Sequence, residues 1–185
     1  MPVPGYSNRD VGDVTSWQVS GLTPATTYYY RVKAYNDAGT SSSSNITAVT
    51  TSKIAQDISF DPIEDKIYGD VDFVLVASAS SGLPVSFTTS ADSIATVNGT
   101  TVSIVGAGMV TITAIQHGDA LYDTAAPVAQ EVMVSPKELT VSGAMAENKV
   151  YDGTMDASVS GAVLNGVVAP DDVSVVEDEN GVFGQ

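Results

Sequence analysis

From Thr15 onward the chain alternates. Thr15, Trp17 and Val19 fall on one side of an extended backbone, and Ser16, Gln18 and Ser20 on the other. After the turn GLTP a second alternation begins. Tyr28, Tyr30, Val32 and Ala34 are expected to face inward, and Tyr29, Arg31, Lys33 and Tyr35 outward. A period of two over eight residues predicts a strand with one solvated face.

Strand-like runs then recur every 8 to 12 residues between positions 54 and 134: QDISFDPI, DFVLVASAS, GLPVSFTTS, SIATV, TTVSIV, GMVTITAIQ and AAPVAQEVMVS. Gly, Asn or Asp separates them, the pattern of an all-β sandwich. Asn98-Gly99 predicts a two-residue hairpin in which both turn positions take positive φ. Gly106 and Gly108 predict a hairpin or bulge, since Val110 to Thr113 continue a strand and no Lys-Ser/Thr follows to complete a phosphate loop.

Leu22, Pro24, Thr26 and Tyr28 are spaced two residues apart. With YRVKAYNDAGTSSSSNITAVTT downstream, they resemble the fibronectin type III family. That resemblance implies a corner between two strands, with Tyr28 bonding back to the main chain near the turn. It covers residues 1–52, the second half of such a domain, whose earlier strands are expected to precede Met1 and whose exposed edges need a cover. Residues 53–136 resemble bacterial Ig-like (MBG-type) repeats, on IYGD, ASASSGLPVSF and ATVNGTTVSIVGAGMVTITAIQHGDALYDTAAPV. Residues 137–185 resemble a truncated YDG-type repeat, on Lys137, Leu139, Thr140 and Val141, then Asn148, Lys149, Tyr151, Asp152, Gly153 and Thr154. Together these imply an all-β chain of tandem immunoglobulin-like β-sandwich modules, as in large bacterial surface adhesin-like proteins.

Composition narrows the functions. Hydrophobic residues make up 43% of the 185, enough for a packed core, whereas charged residues make up 16%. The 22 acids and 7 bases give a net charge of −15, which opposes nucleic-acid and anionic-membrane partners. Acidity is uneven. Residues 1–52 hold three acids and three bases, 53–136 ten and two, and 137–185 nine and two. Cysteine is absent, so disulfides and thiolate chemistry are excluded. No apolar run of about 18 residues predicts a membrane span, and the N-terminus has no secretory leader pattern.

Candidate chemistry is sparse. The single histidine, His117, lies beside a Gly-Asp turn with no GxSxG elbow in the chain, so it reads as a surface turn residue. Asp61, Asp65, Asp70 and Asp72, with Glu64, are calcium candidates by their hard oxygen ligands. Asp171, Asp172, Glu177, Asp178 and Glu179 form a second acidic stretch, but EDENG does not complete a calcium loop. Acid clusters on β-modules are more often a solvated face. Asn45-Ile46-Thr47 and Asn98-Gly99-Thr100 fit the glycosylation sequon. Tyr29 and Tyr35 could stack sugars, yet alternating exposed tyrosines are commonly cross-strand packers.

No catalytic or cofactor set emerges; calcium is the one cofactor considered. The short junctions VTTSKIAQ and VSPKELT predict modules joined without a flexible linker. The expectation is a non-enzymatic structural and adhesive stalk of a bacterial extracellular or cell-surface protein. Its partners are neighbouring β-modules, with polysaccharide or a host or surface protein as further ones. The alternative is an accessory spacer or carbohydrate-binding region of a secreted multidomain hydrolase.

Overall fold

The computed structural model describes residues 9–148, 150–153 and 158–175, and these form no helix. Four strands lie in the first stretch: β1 (Thr27–Tyr30), β2 (Tyr35–Asn36), β3 (Gly39–Thr40) and β4 (Thr47–Thr50). Nine follow: β5 (Ile58–Phe60), β6 (Lys66–Ile67), β7 (Phe73–Val74), β8 (Ala77–Ala79), β9 (Ser86–Thr89), β10 (Ala95–Asn98), β11 (Thr101–Ile104), β12 (Gly108–Ile115) and β13 (Val128–Ser135). The last are β14 (Thr140–Ser142), β15 (Met145–Ala146), β16 (Val159–Ser160) and β17 (Val163–Asn165). The fold is all-β, as the alternations and turn signals require.

Two compact units emerge. One takes the stretch up to Ser59 together with Ala77–Val85 and Ile115–Val128; the other takes Phe60–Val76, Ser86–Ala114 and the stretch from Ala129.

In the first unit β1 pairs antiparallel with β4, Tyr28 opposite Val49 and Tyr30 opposite Thr47. Tyr28 and Tyr30 are half-buried, whereas Tyr29 is 72% exposed, so the alternation holds through these three. It fails beyond them: β1 stops at Tyr30, and Val32 and Ala34 are exposed, not inward. The serine run explains the break. Val32 and Ser44 exchange two bonds, Val32 N–H to Ser44 Oγ at 3.0 Å and Ser44 N–H to Val32 O at 2.8 Å. Ala34 and Ser41 do the same, Ala34 N–H to Ser41 Oγ at 2.9 Å and Ser41 N–H to Ala34 O at 2.8 Å. With Tyr35 opposite Thr40 and Tyr30 opposite Thr47, the returning strand gains two residues along the ribbon. Short serine side chains take over main-chain roles where these bulges open the ladder.

The alternation from Thr15 to Ser20 also forms no strand, and Trp17 is 49% exposed. An extended segment needs a partner ladder. None is present for it among the described residues; instead the Arg9 guanidinium stands 5.2 Å from the Trp17 ring.

The second unit holds the core. One sheet runs β6-β13-β12-β9 and another β10-β11-β7. Val110, Ile112 and Ala114 of β12, Val132 and Val134 of β13, Val102 of β11 and Ala95 of β10 are buried, so both sheets contribute. Each large aliphatic side chain withdrawn in this way contributes about 1.5–3 kcal/mol. Phe60 and Phe87 meet with ring centroids 5.4 Å apart, and the Lys66 ammonium lies 4.8 Å from the Phe73 ring. The intervening β12 residues Met109, Thr111 and Thr113 stay exposed or half-buried, the signature of a sheet covered on one face.

The β10–β11 hairpin forms, but one residue later than Asn98-Gly99 suggests. Asn98 pairs with Thr101, so Gly99 and Thr100 make the turn, and of these Gly99 alone has positive φ, +62°. Glycine at the first central position is the requirement of a type II′ turn, not type I′. Gly106 and Gly108 flank the next turn, where Val105 and Gly106 both donate N–H to Ile94 O. A Cβ on Gly106 would lie 2.4 Å from Ser93 O, which explains a glycine there.

From Thr140 the chain forms narrow ribbons, β14 with β17 and β15 with β16. No described residue beyond Val134 is buried.

Candidate functional site

The corner at Leu22 to Tyr28 is built from hydroxyls. Tyr28 Oη accepts a hydrogen bond from Thr23 N–H at 2.8 Å. Thr26 Oγ1 donates to Pro24 O at 2.8 Å, and Thr51 Oγ1 donates to Thr23 O at 2.6 Å while accepting from Thr26 N–H at 3.0 Å. Ala25 sits at φ +49°, a strained value for a residue with a Cβ. Hydrogen bonding by the Thr23 side chain, then by its N–H, pulls the Tyr28 phenol below its ordinary value of 10.0. Leu22, Pro24, Thr26 and Tyr28 are all half-buried, so their role is to fix the turn.

The other exposed aromatics divide. Tyr29 stands out to solvent, whereas the Tyr35 phenol donates to Asp10 Oδ2. That bond raises the Tyr35 phenol and, with Gly12 N–H, lowers the Asp10 carboxyl. Of these two, Tyr29 is the one whose ring and hydroxyl both stand clear.

At residues 53–57 the main chain is threaded into loops of the same unit. Lys53 Nζ donates to Asp119 O at 2.6 Å; Ile54 N–H donates to Leu121 O and Asp123 N–H to Ile54 O, both at 2.9 Å. Gln56 is buried, and its Nε2 donates to Gln116 Oε1 at 2.6 Å and to Asp123 O. Ser81 Oγ donates to Gln56 Oε1, and Gly118 N–H to Gln116 Oε1. Sequence reasoning passed over both glutamines. A polar residue interrupting an apolar alternation, as Gln116 does after Ala114, was the available signal. Asp119 Oδ1 accepts from Leu121 and Tyr122 N–H, bonds that hold its carboxyl below the ordinary value, with Lys53 adding attraction.

Asp61, Asp65, Asp70 and Asp72 are exposed and are not drawn into a group of three or more metal-ligating residues. Asp65 Oδ1 accepts from Met133 N–H and Asp70 Oδ2 from Ile67 N–H, both at 2.9 Å. These carboxylates cap main-chain amides. Asp171 Oδ1 accepts from Tyr68 Oη at 2.9 Å, while Glu177, Asp178 and Glu179 lie outside the described residues. Tyr151 is 92% exposed, and Gly153 has φ +80° with open space around it; with Asp152 they occupy a surface loop after β15. His117 is exposed in a turn whose carbonyl accepts from Thr124 Oγ1.

The two ends of the chain match known domains. Residues 5–50 match the family model of the fibronectin type III domain. Residues 135–185 match that of the YDG domain. A stretch of 48 residues is 48% identical to a Kelch domain-containing protein of Saccharolobus solfataricus, covering 26% of this chain. The chain spans only 7% of that relative's length. Both matched domains fit a non-catalytic module of a larger protein. No helix among the described residues is long and apolar enough to cross a membrane.

Proposed function

We propose that this chain is a structural and adhesive region of a large secreted or cell-surface bacterial protein. In this reading residues 53–136 are an Ig-like repeat between the fibronectin-like and YDG-type modules, and the whole acts as a semi-rigid spacer. The observation that carries the reading is the anchoring of residues 53–57. A free linker would leave its main chain to water, whereas Ile54 and Asp57 donate N–H to Leu121 O and Ser80 Oγ, and their carbonyls accept from Asp123 and Ser80 N–H. Acidity adds a second contribution, since like-charged spacers repel one another and stay dispersed.

The test is nitrogen-15 relaxation across the chain. A spacer gives amides 53–57 the order parameters of β12, and substitution of Gln56 lowers them. Order parameters typical of a flexible tether in the unmodified chain would remove the basis for this reading. Reading the coding DNA beyond both ends separates a stalk from an accessory region: further β-repeats and an anchoring tail favour the stalk, a catalytic domain the accessory role.

A further inference from the structure

Three Asn-Gly dipeptides occur in the chain, at 98–99, 165–166 and 180–181, the last outside the described residues. Asparagine is a thermolabile residue, and a glycine after it leaves the following peptide nitrogen unshielded by a Cβ. That nitrogen can attack the asparagine Cγ. The two described dipeptides carry the same groups, yet the structure holds them differently.

Asn98 and Gly99 stand exposed at the tip of the β10–β11 hairpin. No described residue bonds the Asn98 side-chain amide or the Gly99 N–H. A Cβ on Gly99 would meet nothing within 4 Å, so the Gly99 peptide has room to turn. Thr100 O accepts from Leu75 N–H at 2.8 Å, which confines the restraint to the far side of the turn.

Asn165 is tied down. Its Nδ2 donates to Ser142 Oγ at 3.0 Å and to Val163 O at 3.3 Å. A Cβ on Gly166 would lie 2.2 Å from Glu138 O, so main chain closes the space in which the Gly166 peptide would have to rotate.

We propose that Asn98 is a site of self-modification, where the Gly99 nitrogen converts the asparagine to aspartyl and isoaspartyl residues. Hydroxide takes the Gly99 N–H proton, and the nitrogen attacks Asn98 Cγ. The bond from Cγ to the side-chain nitrogen breaks, and that nitrogen leaves as ammonia after taking a proton from water. Water then opens the five-membered succinimide at either carbonyl. One opening leaves an aspartyl side chain; the other routes the main chain through Cβ and Cγ, one methylene longer. Either product adds a carboxylate to a chain of net charge −15. The isoaspartyl form also lengthens the main chain where Asn98 faces Thr101, which in turn faces Val74 of β7. Its effect therefore falls on the register of the three-stranded sheet. This inference stands apart from the spacer reading, since it needs only the β10–β11 hairpin and the β14–β17 ribbon.

The experiment ages the full chain for weeks in warm, mildly alkaline buffer. Tandem mass spectrometry follows each asparagine, with hydroxylamine to trap the succinimide. Asn98 should convert about tenfold faster than Asn165, whose amide must first give up two hydrogen bonds. The rate at Asn98 should climb with pH, and both aspartyl and isoaspartyl products should form. In urea the two rates should converge, because only the dipeptide then matters. Ser142→Ala removes one of the two bonds on the Asn165 amide and should speed that site about threefold, leaving Asn98 unchanged. Equal rates in the folded chain, or faster conversion of Asn165, overturn the proposal. So do rates that stay as far apart in urea, which would place the difference in the sequence and not the fold. A product at Asn98 that is aspartyl alone and insensitive to hydroxylamine, the mark of direct side-chain hydrolysis, overturns it as well.

Discussion

Tyr68 donates a hydrogen bond from its phenolic Oη to Oδ1 of Asp171 across 2.9 Å, joining positions 103 residues apart. Nearby, a Cβ on Gly69 would lie 2.6 Å from Val168 Cγ2, so the turn after β6 and the stretch after β17 meet closely. The bond to Asp171 raises the Tyr68 phenol above its ordinary value of 10.0. A group raised on folding stabilises fully below its unfolded pKa and loses that contribution as pH climbs through the folded one. Phenolate absorbance should therefore show two tyrosines titrating late, Tyr35 and Tyr68, the second coupled to faster amide exchange at residues 168–171 above pH 10. Tyr68→Phe should remove one of the two late tyrosines and give that faster exchange already at neutral pH.

Gln56→Leu keeps the volume and deletes the amide. Asp123 O and Ser81 Oγ lose a buried partner, and Gln116 Oε1 keeps only Gly118 N–H. The expected cost is about 1–3 kcal/mol in urea denaturation. A change within experimental error would mean that water replaces the side chain.

Ile112 is fully buried at the centre of β12. Ile112→Ala should cost about 2–5 kcal/mol and Ile112→Val about 0.5–1.5 kcal/mol, read from the same denaturation curves. Equal effects would show that the core collapses around the truncation.

Two glycines should respond unequally to alanine. At Gly106 a Cβ would meet Ser93 O at 2.4 Å, and main chain cannot yield cheaply. At Gly99 there is open space and only the positive φ is strained, at about 1 kcal/mol. Gly106→Ala should lower the melting temperature more than Gly99→Ala; the reverse order would mean that the Ser93 loop moves aside.

Calcium should leave the melting temperature unchanged at millimolar concentration. Asp65 and Asp70 already accept main-chain N–H bonds, and among the described residues neither belongs to a group of three or more metal-ligating side chains. A calcium-dependent rise would show that these capping bonds give way to a metal.

What the sequence disclosed was local and periodic. Val110, Ile112 and Ala114 announce a strand by alternation, and Val132 and Val134 do likewise, because one face of a sheet is buried. Three things depended on partners that pattern cannot name. Val32 faces solvent because Ser41 and Ser44 bulge the opposing strand. The hairpin shifts to Gly99-Thr100 because the pairing of Asn98 with Thr101 sets the register. Gln56 and Gln116 meet across 60 positions, which no short window relates. The acidic stretch was legible as composition; that Asp65 serves Met133 was not.

The lock around Gln56 is made of neutral amides and a hydroxyl. Nothing in that pair ionises, so neither acid nor brine has a handle on it. Such a clasp keeps its geometry when pH or ionic strength changes, because neither of its side chains gains or loses charge.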